Sequence, residues 1–306
     1  MNHLDAQETR ARNRARLRRG MYLLPSMFTA GSLGAGYFAI TQTVDAITRD
    51  TQVHLNWAAV AILFAIPFDA LDGRIARLTN TATDFGKELD SLADVITFGV
   101  APSLLAFVWG FHFLPDSLNP LLRQHIVQAG AFVCFLFLLC GACRLARFNI
   151  SHDAQPRNPG RPDRKYFVGM PIPAAAGLLA ATVHFFNSYP VLEWWVAIPW
   201  LILVGLTGFL MVSTWRFWSG KEINLTRRHP FQLLLLLAVV IYITLRYSQG
   251  ILFFGALAYM FSGIWARAAY GWSRRRRRPA PPAAEPPAPE PAPEPAPEQL
   301  GPRFTD

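Results

Sequence analysis

At 306 residues the chain has room for two soluble domains, but 52% hydrophobic residues against 16% charged, with 9 Trp and 23 Phe, exclude an ordinary soluble enzyme. The basic surplus, 29 Lys+Arg against 20 Asp+Glu, fits cations flanking apolar spans, and no nucleic-acid partner is expected from it.

Residues 1–20, ending ARNRARLRRG, are polar and Arg-rich with no apolar core. They read as a basic cytoplasmic arm, an amphipathic helix on a membrane surface, and not as a secretory signal. Apolar stretches then recur at the roughly 20-residue length a bilayer core requires. They lie near 22–41, 56–77, 88–110, 124–147, 171–187, 194–214, 230–247 and 250–270. This predicts an all-α integral membrane protein of about eight transmembrane helices, with a membrane domain over 21–271. Cys134, Cys140 and Cys143 share one apolar run, CFLFLLCGAC, so a buried helix is expected there rather than a disulfide or metal site. Pro171 and Pro173 are placed to open the fifth helix. Residues 272–306 hold the run Arg274 to Arg278 and a Pro/Ala/Glu tract, which predicts a disordered cytoplasmic tail behind an Arg cluster at the headgroups.

Lys and Arg collect in cytoplasmic loops, which orients the spans. With both termini cytoplasmic, all but three of the 29 basic residues fall inside, leaving only Arg49, Arg123 and Arg246 outside.

Carboxylates are costly in a bilayer, and those retained there are functional candidates. Between Asp69 and Asp94 the chain reads DALDGRIARLTNTATDFGKELDSLAD. Asp69 and Asp72 stand three apart and Asp90 and Asp94 four apart, so each pair shares a helix face. Two such faces meeting would gather four carboxylates, whose repulsion a hard divalent cation, Mg²⁺ or Mn²⁺, relieves. Gly73, Ala76 and Gly86 leave room beside them for a phosphate-bearing ligand, or serve simply as helix-packing positions. Arg77 can offer a bidentate fork to phosphate. Metals, an arginine and small residues together suit phosphoryl transfer.

The spacing D-x-x-D-G-x-x-A-R-x8-G-x-x-x-D-x-x-x-D resembles the signature of the CDP-alcohol phosphotransferase family at every defining position. That resemblance, over about 21–186, implies the family's membrane fold and a homodimer. It implies metal binding, with two ions, by Asp69, Asp72, Asp90 and Asp94, and a general-base role for Asp94. Asp69, Asp72, Gly73, Ala76, Arg77 and Gly86 would surround the nucleotide diphosphate. The stretches DSLADVITFGVAPSLL, CRLARFNI and YFVGMPIPAAAG resemble the phosphatidylserine synthase branch. Val95 stands where relatives using glycerol phosphate or inositol phosphate tend to carry Lys. The resemblance thus implies CDP-diacylglycerol and L-serine as substrates in the cell membrane, with the site facing the cytoplasm. Where the family often has Pro-Asn and a second Asn, this chain has Pro25-Ser26 and Ser32.

Arg144 and Arg147 lie three apart at the end of the fourth span and are expected to aim at the aspartate pocket. There they would hold the lipid phosphate or serine carboxylate, with Asn149 as a polar contact; positive-inside anchoring is the alternative. The competing functions are transfer to glycerol phosphate, inositol phosphate or choline, and cation transport through the acidic cluster.

Overall fold

A computed structural model of the chain describes residues 27–79, 84–150, 166–218 and 246–276; at 72–79, 84, 166–167, 216, 218, 266 and 268–276 only the backbone is described. Helix α1 covers residues 27–48, and after Arg49 and Asp50 helix α2 runs Thr51–Thr79. A third rod follows as α3 (Asp84–Asp94), a π turn (Val95–Val100), α4 (Ala101–Phe107) and a second π turn (Val108–His112). Then come α5 (Pro120–Ile150), strand β1 (Tyr166–Val168), α6 (Ile172–Phe185), α7 (Trp194–Val212), strand β2 (Arg216–Trp218) and α8 (Ser248–Arg276). The chain separates into a body, Met1–Arg267, and the stretch Ala268–Asp306, of which 268–276 are helical.

Among the described residues, five helical stretches are long and apolar enough to cross a membrane: Thr51–Leu71, Phe85–His112, Pro120–Ile150, Trp194–Val212 and Ser248–Trp265. The protein is a multi-pass membrane protein. Helices also occupy the first and fifth predicted positions. The first is diluted by Gly, Ser and Thr, and α6 is apolar but shorter. The predicted span 230–247 lies outside the described residues except for its last two, and the arm 1–20 and most of the tail 272–306 lie wholly outside.

Among the described residues the fold is all-α apart from one short ribbon. β1 and β2 pair antiparallel, with Phe167 opposite Phe217. The ribbon is docked on the end of α7: the Gly169 N–H donates to the Trp215 carbonyl at 2.8 Å and the Met170 N–H to the Leu210 carbonyl at 3.0 Å. Gly169, at φ 78°, makes the turn, and a Cβ there would run into the Met211 carbonyl.

The core is built around α6, where Ala175, Ala176, Leu178, Leu179, Ala180, Ala181 and Val183 are all fully buried. Small side chains let helices approach closely where lipid offers little hydrophobic drive for association. Pro171 is the N-cap of α6 and Pro173 sits in its first turn, so the two prolines do open this helix. It ends where Asn187 (φ 54°) and Ser188 (φ 58°) turn left-handed.

Both π turns have partners that hold them. Behind Asp94, the Thr97 hydroxyl donates to the Ser32 carbonyl of α1 at 3.2 Å, and a Cβ on Gly36 would come within 2.7 Å of the Thr97 Cα. At the second, the Trp200 indole N–H donates to the Ala106 carbonyl at 3.0 Å, and its ring fills the space above Gly110. A widened turn frees carbonyls from the i→i+4 pattern and recurs at functional sites.

Candidate active site

Asp69 belongs to the part of α2 that follows Pro67. Proline has no N–H to give the carbonyl four residues back, so the helix is weakened in the turn that leads into the site. Asp90 and Asp94 lie one turn apart on α3, and Asp94 is its last residue before the π turn. The two helices bring Asp69, Asp90 and Asp94 together, with one carboxylate oxygen of each within 4.8 Å of the others. The Asp69 and Asp94 carboxyl groups are within hydrogen-bonding reach of one another. All three are half-buried. Hard oxygen donors at this mutual distance are the ligand set a small divalent cation takes, so the residues present fit the metal their pattern implied. Asp72, Gly73, Ala76 and Arg77 continue the α2 backbone, and their side chains lie outside the described residues. Gly86 lies in α3, one turn before Asp90.

Arg144 of α5 faces this cluster. Its side chain is only 9% exposed, and it interacts electrostatically with Asp94 and Asp69 and with Tyr259 of α8. Its guanidinium carbon stands 5.9 Å from the Phe148 ring centre, and its Nε has no hydrogen-bond partner. A buried guanidinium with an unused donor is costly unless something anionic completes it.

Arg147, expected to aim at the same pocket, makes backbone contacts of its own. Its guanidinium donates to the Val212 carbonyl at 3.1 Å and approaches the Val168 carbonyl at 3.5 Å. Arg147 therefore closes the end of α7 onto β1. Asn149 donates its amide to the Ser91 hydroxyl at 2.9 Å, and Ser91 in turn donates to the Lys87 carbonyl at 3.0 Å. This ties the end of α5 to α3 between the two aspartates. Tyr259 was not among the predicted residues. The signal it left was a phenol in the middle of an apolar span, away from the membrane-interface belt where tyrosines collect.

With a carboxylate cluster, an unsatisfied buried arginine and two helices that position them, the site is equipped to bind a phosphate ester and a cation together. A sequence model of the family described as CDP-alcohol phosphatidyltransferase matches residues 22–199, more than half of the chain. The chain belongs to this family. Members generally depend on a divalent metal, in keeping with the acidic cluster. The chain is similar to proteins named CDP-diacylglycerol-serine O-phosphatidyltransferase from several organisms. That of Helicobacter pylori is 39% identical over 226 residues, 74% of this chain and 81% of the relative. That of Methanocaldococcus jannaschii is 36% identical over 58% of this chain and 71% of the relative. The Bacillus subtilis protein is 32% identical over 66% of this chain and 93% of its own length. The family match ends inside α7, so α8 and Tyr259 lie beyond it.

Proposed function

We propose that the chain transfers the phosphatidyl group of CDP-diacylglycerol to the hydroxyl of L-serine, giving phosphatidylserine and CMP. The observation that carries this reading is the convergence of Asp69, Asp90 and Asp94 within 4.8 Å beside the buried, incompletely paired Arg144. The names of the bacterial and archaeal relatives supply the acceptor.

In this reading Asp69, Asp72, Asp90 and Asp94 hold magnesium or manganese, as two ions. When bound, the metal neutralises charge on the phosphate oxygens. Gly73, Ala76 and Gly86 leave room for the cytidine diphosphate beside the helices, and Arg77 steadies its phosphates. Asp94 takes the proton from the serine hydroxyl as that oxygen attacks the phosphorus bearing diacylglycerol. The new serine oxygen–phosphorus bond forms as the bond from that phosphorus to the CMP oxygen breaks, and CMP departs with the electron pair. Arg144 binds an anionic oxygen, that of the serine carboxylate or the lipid phosphate. Arg147 and Asn149 brace the walls around it. Direct attack inverts the configuration at phosphorus, whereas retention would require a phosphatidyl-enzyme intermediate.

The membrane arrangement that accompanies this function has eight spans with both termini and the active site on the cytoplasmic side of the cell membrane. The distribution of Lys and Arg supports it. The basic arm 1–20 and the tail 272–306 flank the catalytic domain 21–271, and the protein works as a homodimer.

The deciding experiment offers the purified protein CDP-diacylglycerol with serine, glycerol phosphate, inositol phosphate or choline and measures CMP and lipid product. Release of CMP that needs serine and a divalent cation is expected. Another acceptor working while serine fails would overturn the assignment, and cation flux without CMP would point to transport.

A further inference from the structure

To hold a cation, Asp90 and Asp94 must do more than share a face of α3. A helix carries its side-chain tips about 5 to 6 Å from its axis, so a rotation of about 10° about that axis moves a carboxylate by about 1 Å. A small divalent cation tolerates less than this in its ligands, which must be held to about 0.5 Å. Something must therefore fix the rotation of α3, and apolar packing supplies little of it. Phe85 and Leu92 are exposed, and Ala93 is the one buried residue of α3 among those whose side chains are described.

Ser91 lies between the two carboxylates in sequence but about 100° round the helix from Asp90. Its hydroxyl donates to the Lys87 carbonyl, one turn back, at 3.0 Å, which commits its single proton. What is left to it is to accept, and the Asn149 amide of α5 donates to it at 2.9 Å. The donor has a firm mount. Asn149 stands in the last turn of α5, four residues after the buried Leu145, and two residues before it Arg147 donates to the Val212 carbonyl at 3.1 Å. The same turn of α5 therefore grips the end of α7 through Arg147 and α3 through Ser91.

We infer that Ser91 is a positioning residue: the Ser91–Asn149 hydrogen bond sets the rotation of α3 and, through it, the reach of Asp90 and Asp94 toward a cation shared with Asp69. This rests on the metal reading of the acidic cluster, and the Ser91 hydroxyl acts without touching metal or substrate itself.

The test is direct binding of Mn²⁺ to the full-length protein in a neutral detergent, without serine, read from the electron paramagnetic resonance signal of the free ion. The parent is compared with Ser91→Ala, Asn149→Ala and the double variant. The Kd for Mn²⁺ should rise about fivefold in each single variant, the worth of one neutral hydrogen bond. The double variant should bind no more weakly than either single one, because both substitutions remove the same bond. A merely structural bond would lower the melting temperature and leave the Kd alone. Ser91→Ala also puts a better helix former into α3, so its melting temperature should move little while its Kd rises. The inference is overturned if the Kd of either single variant stays within about twofold of the parent, or if the two losses multiply to about 25-fold in the double variant. A parent that takes up no Mn²⁺ refutes the metal reading itself and takes this inference with it, whereas a parent that binds Mn²⁺ no more tightly than its variants refutes the inference alone.

Discussion

The two ends of the helix bundle handle polar groups in opposite ways. Near the start of α2, Asn56 pairs with His184 Nδ1 at 2.8 Å, and His184 Nε2 pairs with Ser248 at the start of α8 at 3.0 Å. Around them, Gln52 donates to the Asn187 carbonyl at 2.9 Å and Gln249 to the Asn187 side chain at 2.8 Å. Every group in this knot is uncharged or a histidine, and each finds a partner on another element. Asp69 stands on the same α2, about 20 Å further along at 1.5 Å per residue. There the groups are charged, three carboxylates are crowded together and Arg144 keeps an unpaired Nε. A polar set that satisfies itself joins helices. One in which a buried guanidinium nitrogen keeps no partner, despite the cost of burying it, is suited to a ligand.

That contrast can be broken most severely at the acidic end. Asp94→Asn removes the proton acceptor while keeping the shape, so kcat should fall by about 10²- to 10⁴-fold. Binding of CDP-diacylglycerol, read by equilibrium dialysis with a labelled lipid, should largely survive. Full turnover in this variant would remove Asp94 from its role as base. Chelation should also abolish CMP release, with recovery on adding Mg²⁺ or Mn²⁺; activity that persists in chelator would separate the carboxylate cluster from metal binding. Arg144→Gln comes next, with a fall in kcat/KM of roughly 10- to 100-fold, the range for a lost hydrogen bond to a charged group. Arg147→Ala should instead lower the melting temperature, because its guanidinium is spent on the Val212 and Val168 carbonyls. If Arg147→Ala damaged substrate affinity as much as Arg144→Gln does, the division between the two arginines would be wrong.

The clustering of Asp69, Asp90 and Asp94 was legible in the sequence because helical spacing converts directly into a shared face. Asp90 and Asp94 needed only a helix to stand one turn apart, and α3 supplies it. The same rule says less for Arg144 and Arg147. A common face says nothing of which elements lie opposite each residue, and here the carboxylates face one while the end of α7 faces the other. The ribbon was hidden because three-residue strands are too short to show alternation, and Phe167 and Phe217 read as more apolar sequence. The π turns left no trace in composition, since a shift of hydrogen-bond register by one residue changes no side chain. The contacts beside them, Gly36 against Thr97 and Gly110 under Trp200, join distant segments. Tyr259 was hidden in the same way, its partner being more than a hundred positions earlier.

The milder predictions ask whether the neutral contacts are confined to structure. Gly36→Ala forces a methyl against the Thr97 backbone, three residues beyond Asp94, and overpacking of this kind costs about 1 to 3 kcal/mol. Because the displaced turn begins directly after Asp94, kcat should fall with the melting temperature; a variant that is destabilised yet fully active would show that the π turn does not place the carboxylate. His184→Ala should give the smallest effect and the most informative control. It leaves Asn56 and Ser248 without their shared partner. Interhelical hydrogen bonds in membranes are worth roughly 0.6 to 2 kcal/mol, so a modest drop in melting temperature is expected. The KM for serine and the metal requirement should not move, since the imidazole joins α2 at Asn56, about 20 Å along that helix from Asp69. A shift in either would mean that the knot communicates with the carboxylates along α2, and that the two ends are one coupled system rather than a joint and a site.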